Sequence, residues 1–434
     1  VIIRRGPAAG LLLGLATALA LAGCTGRSGR SGSAEATTAT ESPRATSTPV
    51  PPTCPAGIAV TPQSNLQQLV DAAPDGSTFI FAAGTYSGFS ADVKAGDRFC
   101  GAGAGRTTLD GAGLKAPAFF AGQATDDNVT VSGFTITNYR PTGKLGAIDS
   151  DATSDRAQGW TVSNNAVGSG STVRDNQLND NGRYGLTGGG KASVFSHNEI
   201  ARNNSAHNDT GDAGGTKFAI TTDLEVDHNW VHDNIGPGLW TDINNVGTVY
   251  DSNLVEGNTE AGIFHEISYA CRIVGNVVRH NGTSSSPWVL GAGISISNSQ
   301  GCDVSGNYVG DNANGIVGIA SNRGGDATLP NYKGLWLLKD NSVHDNVVRQ
   351  ARGVSGIATD CKPNGSSCLD PYSSAAANSF DHDRYFVKGG SPFSWASGNK
   401  SFSQWQSAGQ EKNGSSAAYA GVPARPDLAV GPTG

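Results

Sequence analysis

The stretch Asn253-Leu-Val-Glu-Gly-Asn258-Thr-Glu-Ala-Gly262-Ile-Phe-His-Glu-Ile267-Ser-Tyr-Ala-Cys271-Arg-Ile-Val-Gly-Asn276-Val-Val-Arg-His-Asn281 holds one full period of the chain. Both of its ends read Asn-x-apolar-x-x-Asn, and between them runs a Gly-led segment in which apolar residues alternate. The Asn pattern recurs as Asn176–Asn181, Asn198–Asn203, Asn229–Asn234, Asn253–Asn258, Asn276–Asn281, Asn307–Asn312 and Asn341–Asn346, with starts 22, 31, 24, 23, 31 and 34 residues apart. A Gly-led version, Gly133-Phe-Thr-Ile-Thr-Asn138, precedes them. The companion segments are Gly238-Leu-Trp-Thr-Asp-Ile, Gly293-Ile-Ser-Ile-Ser and Gly315-Ile-Val-Gly-Ile.

A period near 23 with short alternating strands and no helical stretch predicts a solenoid. The units lack the Leu-x-x-Leu-x-Leu spacing of leucine-rich repeats. They fit coils of an all-β, right-handed parallel β-helix with three short strands per coil. The longer intervals then carry a loop inserted at one corner. Asn165 lies only 11 residues before Asn176 and predicts a local irregularity. Asn and Gly are expected to supply the left-handed backbone of the corners. Asn253, Asn276 and Asn307 are expected to stack into an amide ladder along the coil axis.

Composition agrees. Glycine supplies 60 of 434 residues and charged residues only 15%, against the usual ~25%. Both values argue against a helical protein. The net charge of −7 argues against nucleic-acid binding.

Arg4 and Arg5 followed by the apolar run Leu11–Ala22 predict a signal peptide, too short to span a bilayer. Leu21-Ala22-Gly23-Cys24 resembles a bacterial lipoprotein signal, which implies acylation of Cys24 and a lipid anchor on an exported, cell-surface protein. Residues 24–53 are rich in Ser, Thr, Gly, Ala and Pro and read as an unfolded tether. The expected organisation is 1–23 signal, 24–53 tether, 54–360 coil and 361–434 a loop-rich extension, in a monomeric protein. Six further cysteines in an oxidising compartment allow disulfides. The preferred pairs are Cys54–Cys100 and Cys361–Cys368. Cys271 and Cys302 each precede a repeat Asn by five residues, so they occupy equivalent inward positions in adjacent coils. They are stacked thiols or a rung-to-rung disulfide.

Ser64–Ala73 predicts an amphipathic helix covering the open end of the first coil, with Ser64 as a possible N-cap. With "PDGSTFIFAAGTYSG" and the Asn-punctuated coils, it resembles the pectate-lyase-like right-handed parallel β-helix superfamily, over roughly residues 57 to 360. "GGTKF", "GLWTDINN" and "GIFHEISY" resemble a narrower group of exported bacterial β-helix-repeat proteins. The stretch from Trp395 to Gly409 resembles tails of carbohydrate-active β-helix proteins. The superfamily consists mostly of polysaccharide lyases, hydrolases and epimerases, with some non-catalytic adhesins. The resemblance therefore implies polysaccharide as the partner.

Period-two alternation assigns the faces of each Gly-led strand. Leu239, Thr241 and Ile243 point inward, as do Ile263, His265 and Ile267. Trp240, Asp242, Phe264 and Glu266 point outward. In-register stacking predicts one outward column of Lys217, Asp242, Glu266 and Ser297, beside a second of Trp240, Phe264 and Ser295. Asp242 against Glu266 is a like-charge pair that needs compensation. Lys217, a shared proton or a cation such as Ca²⁺ bound by Asp242 and Glu266 would each provide it. With Lys217 as base the set suits β-elimination on a uronate. With Asp242 and Glu266 alone it suits a glycoside hydrolase. A glycan-binding surface without turnover is the third reading. Trp240 and Phe264 would stack on sugar rings, and Arg323 and Tyr269 would line the same groove. His265 points inward and is expected to be a core residue, and His232 a turn residue.

Overall fold

Each copy of the Asn repeat folds as two three-residue strands joined by a two-residue corner. Arg272–Val274 and Val277–Arg279 flank Gly275-Asn276, and Glu225–Asp227 and Trp230–His232 flank His228-Asn229. The Gly-led segment supplies the third strand of the coil, as in Ile263–Glu266. The computed structural model describes residues 56–120, 129–140, 148–149, 172–284, 288–326, 334–361, 369–396 and 398–432. The expected signal, Cys24, the tether and Asn165 lie outside them.

Successive coils stack into three long sheets of 8, 12 and 9 strands among the described residues, parallel except for the last pair of the nine-stranded one, which is antiparallel. Each strand pairs with its counterpart one coil on, so Ile273 lies level with Tyr250 and Val304, and His265 with Thr241 and Ile296. One apolar column runs inside, from Val60 to Trp405. Every fully buried Val, Ile or Phe in it contributes about 1.5–3 kcal/mol.

The corners meet the expectation in part: glycines such as Gly275 and Gly306 do take left-handed positions, but the repeat asparagines do not. The left-handed residue is the one before the ladder Asn: Asp175, His197, His228, Ser252, Gly275, Gly306 and Asp345 all have φ between 53 and 65° except His228 at 51°. The Asn that follows turns inward and saturates its amide. Asn253 donates to Asn276 Oδ1 at 2.9 Å and to the Val226 carbonyl at 2.8 Å. Its own Oδ1 accepts from the Asn229 backbone and side chain, both at 3.0 Å. A second ladder links Asn181, Asn203, Asn234, Asn258, Asn281 and Asn312.

The ladders correct the last repeat. Asn307 donates to Asn346, not to Asn341, at 2.9 Å. Asn341 instead follows Cys302, whose backbone N–H donates to Asn341 Oδ1 at 3.0 Å. The same inward position holds Cys271 one coil earlier, and Cys271 and Cys302 form a disulfide with their Cα atoms 4.4 Å apart. Cys100 and Cys361 are also disulfide-bonded, and the partners expected for them lie outside the described residues.

Both ends of the core are covered. Helix α1 (Leu66–Ala72) packs Leu66 and Val70 inward, and Asn65 rather than Ser64 caps it by accepting from the Gln68 N–H at 3.1 Å. The coil also continues past residue 360. Ser379–Asp381, Arg384–Val387 and Phe393–Ser394 add one strand to each sheet. Helix α2 (Phe402–Ser407), closed by a Ser401–Gln404 capping box, then inserts Trp405 among Phe380, Tyr385 and Phe393.

Candidate functional site

The outer face of the nine-stranded sheet carries a row of charges built by consecutive coils. Asp242 lies level with Glu266, and Glu266 with Ser297, as the alternation predicts. Trp240, Phe264 and Ser295 are level in the neighbouring column. Lys217 belongs to that second column instead. Phe218 pairs with Thr241, which puts Lys217 level with Trp240. Its ammonium lies 3.7 Å above the Trp240 ring and reaches diagonally to Asp242 Oδ2 at 3.0 Å.

Two loops complete the row. Asp212, from the insertion between Asn203 and Asn229, stands 3.6 Å from the Lys217 ammonium and also binds Arg183. The Tyr184 hydroxyl donates to Asp212 Oδ1 at 3.1 Å, and burial, then the Asp212 charge, holds that phenol well above its ordinary range. On the other side Arg323 binds the Glu266 carboxylate. Asn298 anchors the Arg323 loop, accepting from the Ser321 N–H at 2.9 Å and donating to the Trp336 carbonyl at 2.9 Å. The Trp336 indole in turn donates to Asn244 Oδ1 at 3.2 Å.

The charges therefore alternate as Arg183, Asp212, Lys217, Asp242, then Glu266, Arg323. The single like-charge contact in this order is Asp242–Glu266. Burial and then the Asp242 charge push the Glu266 carboxyl above its ordinary value, against the lowering pull of Arg323 and Lys217. Beyond Glu266 the column turns apolar, through Ser297 to Ile319, which packs with Val289, Ala292 and Val317.

Several expected members sit elsewhere. Trp240 is only 3% exposed, capped by Lys217 and stacked on Phe264 with 5.7 Å between centroids, so its face is not open to a sugar. Phe264 is half-buried. Tyr269 is buried beyond the strand, bridging Val246 and Gln300, and does not line the groove. Ile243 and Ile267 are not inward strand residues, because both take positive φ where their strands end. His265 is a core residue: Nδ1 shares a 2.7 Å hydrogen bond with the Thr241 hydroxyl, and burial lowers its pKa to about 3. His232 lies in the strand Trp230–His232, stacked on Trp230 rather than in a turn.

Residues 117–309 match the family described as a right handed beta helix region. The chain folds as a right-handed parallel β-helix. The A-module of the Azotobacter vinelandii mannuronan C-5 epimerase AlgE4 superposes on this β-helix with a TM-score of 0.52 and 15% identity, over 77% of this chain and 93% of that chain. The AlgE6 A-module of the same organism gives 0.49 and 15%, over 81% and 93%. A mannuronic acid specific polysaccharide family 6 lyase from human gut microbiota gives 0.44 and 13%, over 87% and 96%. Likeness at this identity establishes the fold alone. The curated proteins contain no sequence match to the chain.

The β-helix row does not make a calcium cage. Asp242 and Glu266 are each already paired with a cation, Lys217 and Arg323. Among the described residues no third acid or imidazole joins them at ligating distance. A Ca²⁺ ion takes 6–8 oxygen ligands and would have to displace both pairs.

Proposed function

We propose that the charged row binds and cleaves an acidic, uronate-containing polysaccharide by β-elimination. The observation that carries this reading is the alternation of Arg183, Lys217 and Arg323 with Asp212, Asp242 and Glu266 on one outer face, broken only at Asp242–Glu266. Three cations concentrate there on a chain of net charge −7, and one of the three acids has its carboxyl raised. The row, three cations against three acids, is near neutral and so repels a polyanion less than the net-negative remainder of the chain does.

In this reading Arg323, with 40% of its side chain exposed, holds the uronate carboxylate and favours charge developing on it. Lys217 acts in this scheme as the free amine and takes the C-5 proton, becoming the ammonium. The electron pair of that C–H bond forms the C4–C5 double bond as the C4–O bond breaks. Glu266, in its protonated form, gives its proton to the departing oxygen. Asp212 and Asp242 hold the Lys217 ammonium that the step creates. The chain's own cations supply the neutralisation, and no metal enters the scheme.

A second reading, retaining hydrolysis by Asp242 and Glu266, is favoured by their register pairing. Adjacent rungs are ~4.8 Å apart, close to the separation that retaining carboxylates use. Incubation with uronate-containing and neutral polysaccharides, with and without chelator, separates the two. Elimination gives an ultraviolet-absorbing product from acidic substrates that persists in chelator. New reducing ends without that absorbance establish hydrolysis. Binding without either product leaves a recognition face and overturns the catalytic reading. Attachment through a lipid at Cys24, and residence at the cell surface, belong to the same proposal and are checked by mass spectrometry of the exported protein.

A further inference from the structure

We propose that His197, His228 and Asp227 form a binding site for a first-row divalent transition metal such as Zn²⁺. It lies at the corner between the eight- and twelve-stranded sheets, apart from the charged row on the nine-stranded one.

The corner column reads Asp175, His197, His228, Ser252 down successive coils, each residue in the left-handed region. His197 and His228 have φ of 56 and 51°, so their side chains leave the backbone in the same direction. Their rings are parallel within 2°, with centroids 4.9 Å apart. One ring nitrogen of each imidazole lies within 4.8 Å of the other and of an Asp227 carboxylate oxygen. His228 Nδ1 meets Asp227 Oδ1 at 2.8 Å, while His197 Nδ1 is shut off from solvent with no hydrogen-bond partner among the described residues. A buried ring nitrogen with no partner is costly to keep, and a metal bridging the two rungs removes that cost.

The ligand atoms of the three residues lie within 4.8 Å of one another. Small rotations of the imidazoles bring such a span onto metal bonds of ~2.0–2.2 Å. Two imidazoles and one carboxylate suit zinc, nickel or copper better than calcium or magnesium, which take oxygen donors. Three protein ligands leave a position for water. Asp251 lies level with Asp227 one coil on and adds negative charge to the same column.

The site also meets the end of the chain. The Gly431 N–H donates to the His228 carbonyl at 3.0 Å, and Val430 is buried beside it. A bound ion would therefore staple two consecutive coils at the point where the C-terminal segment docks.

The test uses the full chain stripped with chelator and then titrated with Zn²⁺ by calorimetry and with Co²⁺ by visible absorption. One ion per chain is expected, with a higher melting temperature in Zn²⁺. His197→Ala and His228→Ala should each weaken binding by at least ~10-fold, the loss that removal of an outer-sphere partner alone reaches. His280→Ala should leave it unchanged, because His280 occupies a left-handed corner between Gly257 and Asp311 with no imidazole above or below. Electron paramagnetic resonance of the Cu²⁺-loaded wild type should report two coordinated nitrogens, a readout that does not depend on the variants folding. No uptake by wild type at ~100 times the protein concentration overturns the proposal. So does uptake that both histidine variants retain, or a copper spectrum with fewer than two nitrogens.

Discussion

The Lys217 ammonium meets Asp242 at 3.0 Å although the two residues are not level in the sheet. Lys217 lies beside Trp240, and its side chain crosses the indole face on the way to the next column. The indole therefore serves as the floor over which the ammonium is aimed. Cation and ring are both largely desolvated, a setting in which such contacts strengthen. The geometry leads to five measurable consequences.

Lys217→Ala should lower turnover of an acidic polysaccharide by about 100-fold or more, the usual contribution of a positioned proton acceptor. The melting temperature should change little, because Asp242 and Asp212 remain partly open to water at 20 and 23%. Parallel kinetics and thermal melts check this. An unchanged rate would remove Lys217 from the chemistry.

Arg323→Ala should lower kcat/KM through both kcat and KM, and only for acidic substrates, since the guanidinium is the exposed cation of the row and stabilises charge that grows on the uronate carboxylate. The effect should shrink in high salt, where exposed charges are screened over ~3 Å. A comparison of acidic and neutral glycans at two ionic strengths measures it.

Glu411 gives the C-terminal cap a pH dependence. It is fully buried against Asp383 and Tyr385. Burial, then the Asp383 charge, raises its carboxyl to about 9 from an ordinary 4.5. The folded state therefore keeps a proton that the unfolded chain releases. The resulting stabilisation is complete below about pH 4.5 and is lost as the pH rises toward 9. Glu411→Gln should flatten this loss, as followed by thermal melts from acid to alkaline pH.

Asn253→Ala should destabilise the fold by about 3 kcal/mol. It strands the Asn229 amide and the Val226 carbonyl inside the coil, and each unsatisfied buried group costs ~1–3 kcal/mol. Denaturant unfolding of the variant gives the value. An exposed corner change such as Asp233→Asn provides the baseline.

Replacing Cys271 and Cys302 together by Ser should cost about 3 kcal/mol. The bond closes a 31-residue separation, and chain-entropy arguments assign ~3–4 kcal/mol to a loop of that size. Thermal unfolding under non-reducing conditions tests it, and the melting of wild type in reductant should move toward that of the variant.

The faces of Trp240, Asp242, Phe264 and Glu266 were legible from the chain because strand parity is a local property. The Asn ladders and the rung-to-rung cysteines were legible for a related reason: each recurs at the coil period. The column of Lys217 differs from the expected one, yet the motif carries it: Lys217 follows Gly215 by two residues as Trp240 follows Gly238, and Phe218 pairs with Thr241 at that same offset. The register shift between Gly188 and Gly190 and the left-handed Ile220 come later in the strand. What the pattern hides is the diagonal reach of the Lys217 ammonium to Asp242.

Asp212 and Arg323 show the same limit more sharply. The spacing revealed that loops were inserted, since the intervals of 31 and 34 residues that hold Asp212 and Arg323 exceed one coil. It did not say which loop residues fold back over the sheet. That choice depends on contacts such as Asn298 with Ser321 and Trp336, between groups far apart in sequence.

The sequence by itself determined the period, the parallel coil, the buried amide ladders and which side chains of each strand face out, because all of these follow from backbone geometry repeated at a fixed interval. Only the tertiary structure decided that Lys217 crosses Trp240 to reach Asp242, that Arg323 closes over Glu266, and that His197 lies flat against His228. Those contacts are set by register and loop packing between residues 25 to 57 positions apart, where no local pattern constrains which atoms meet.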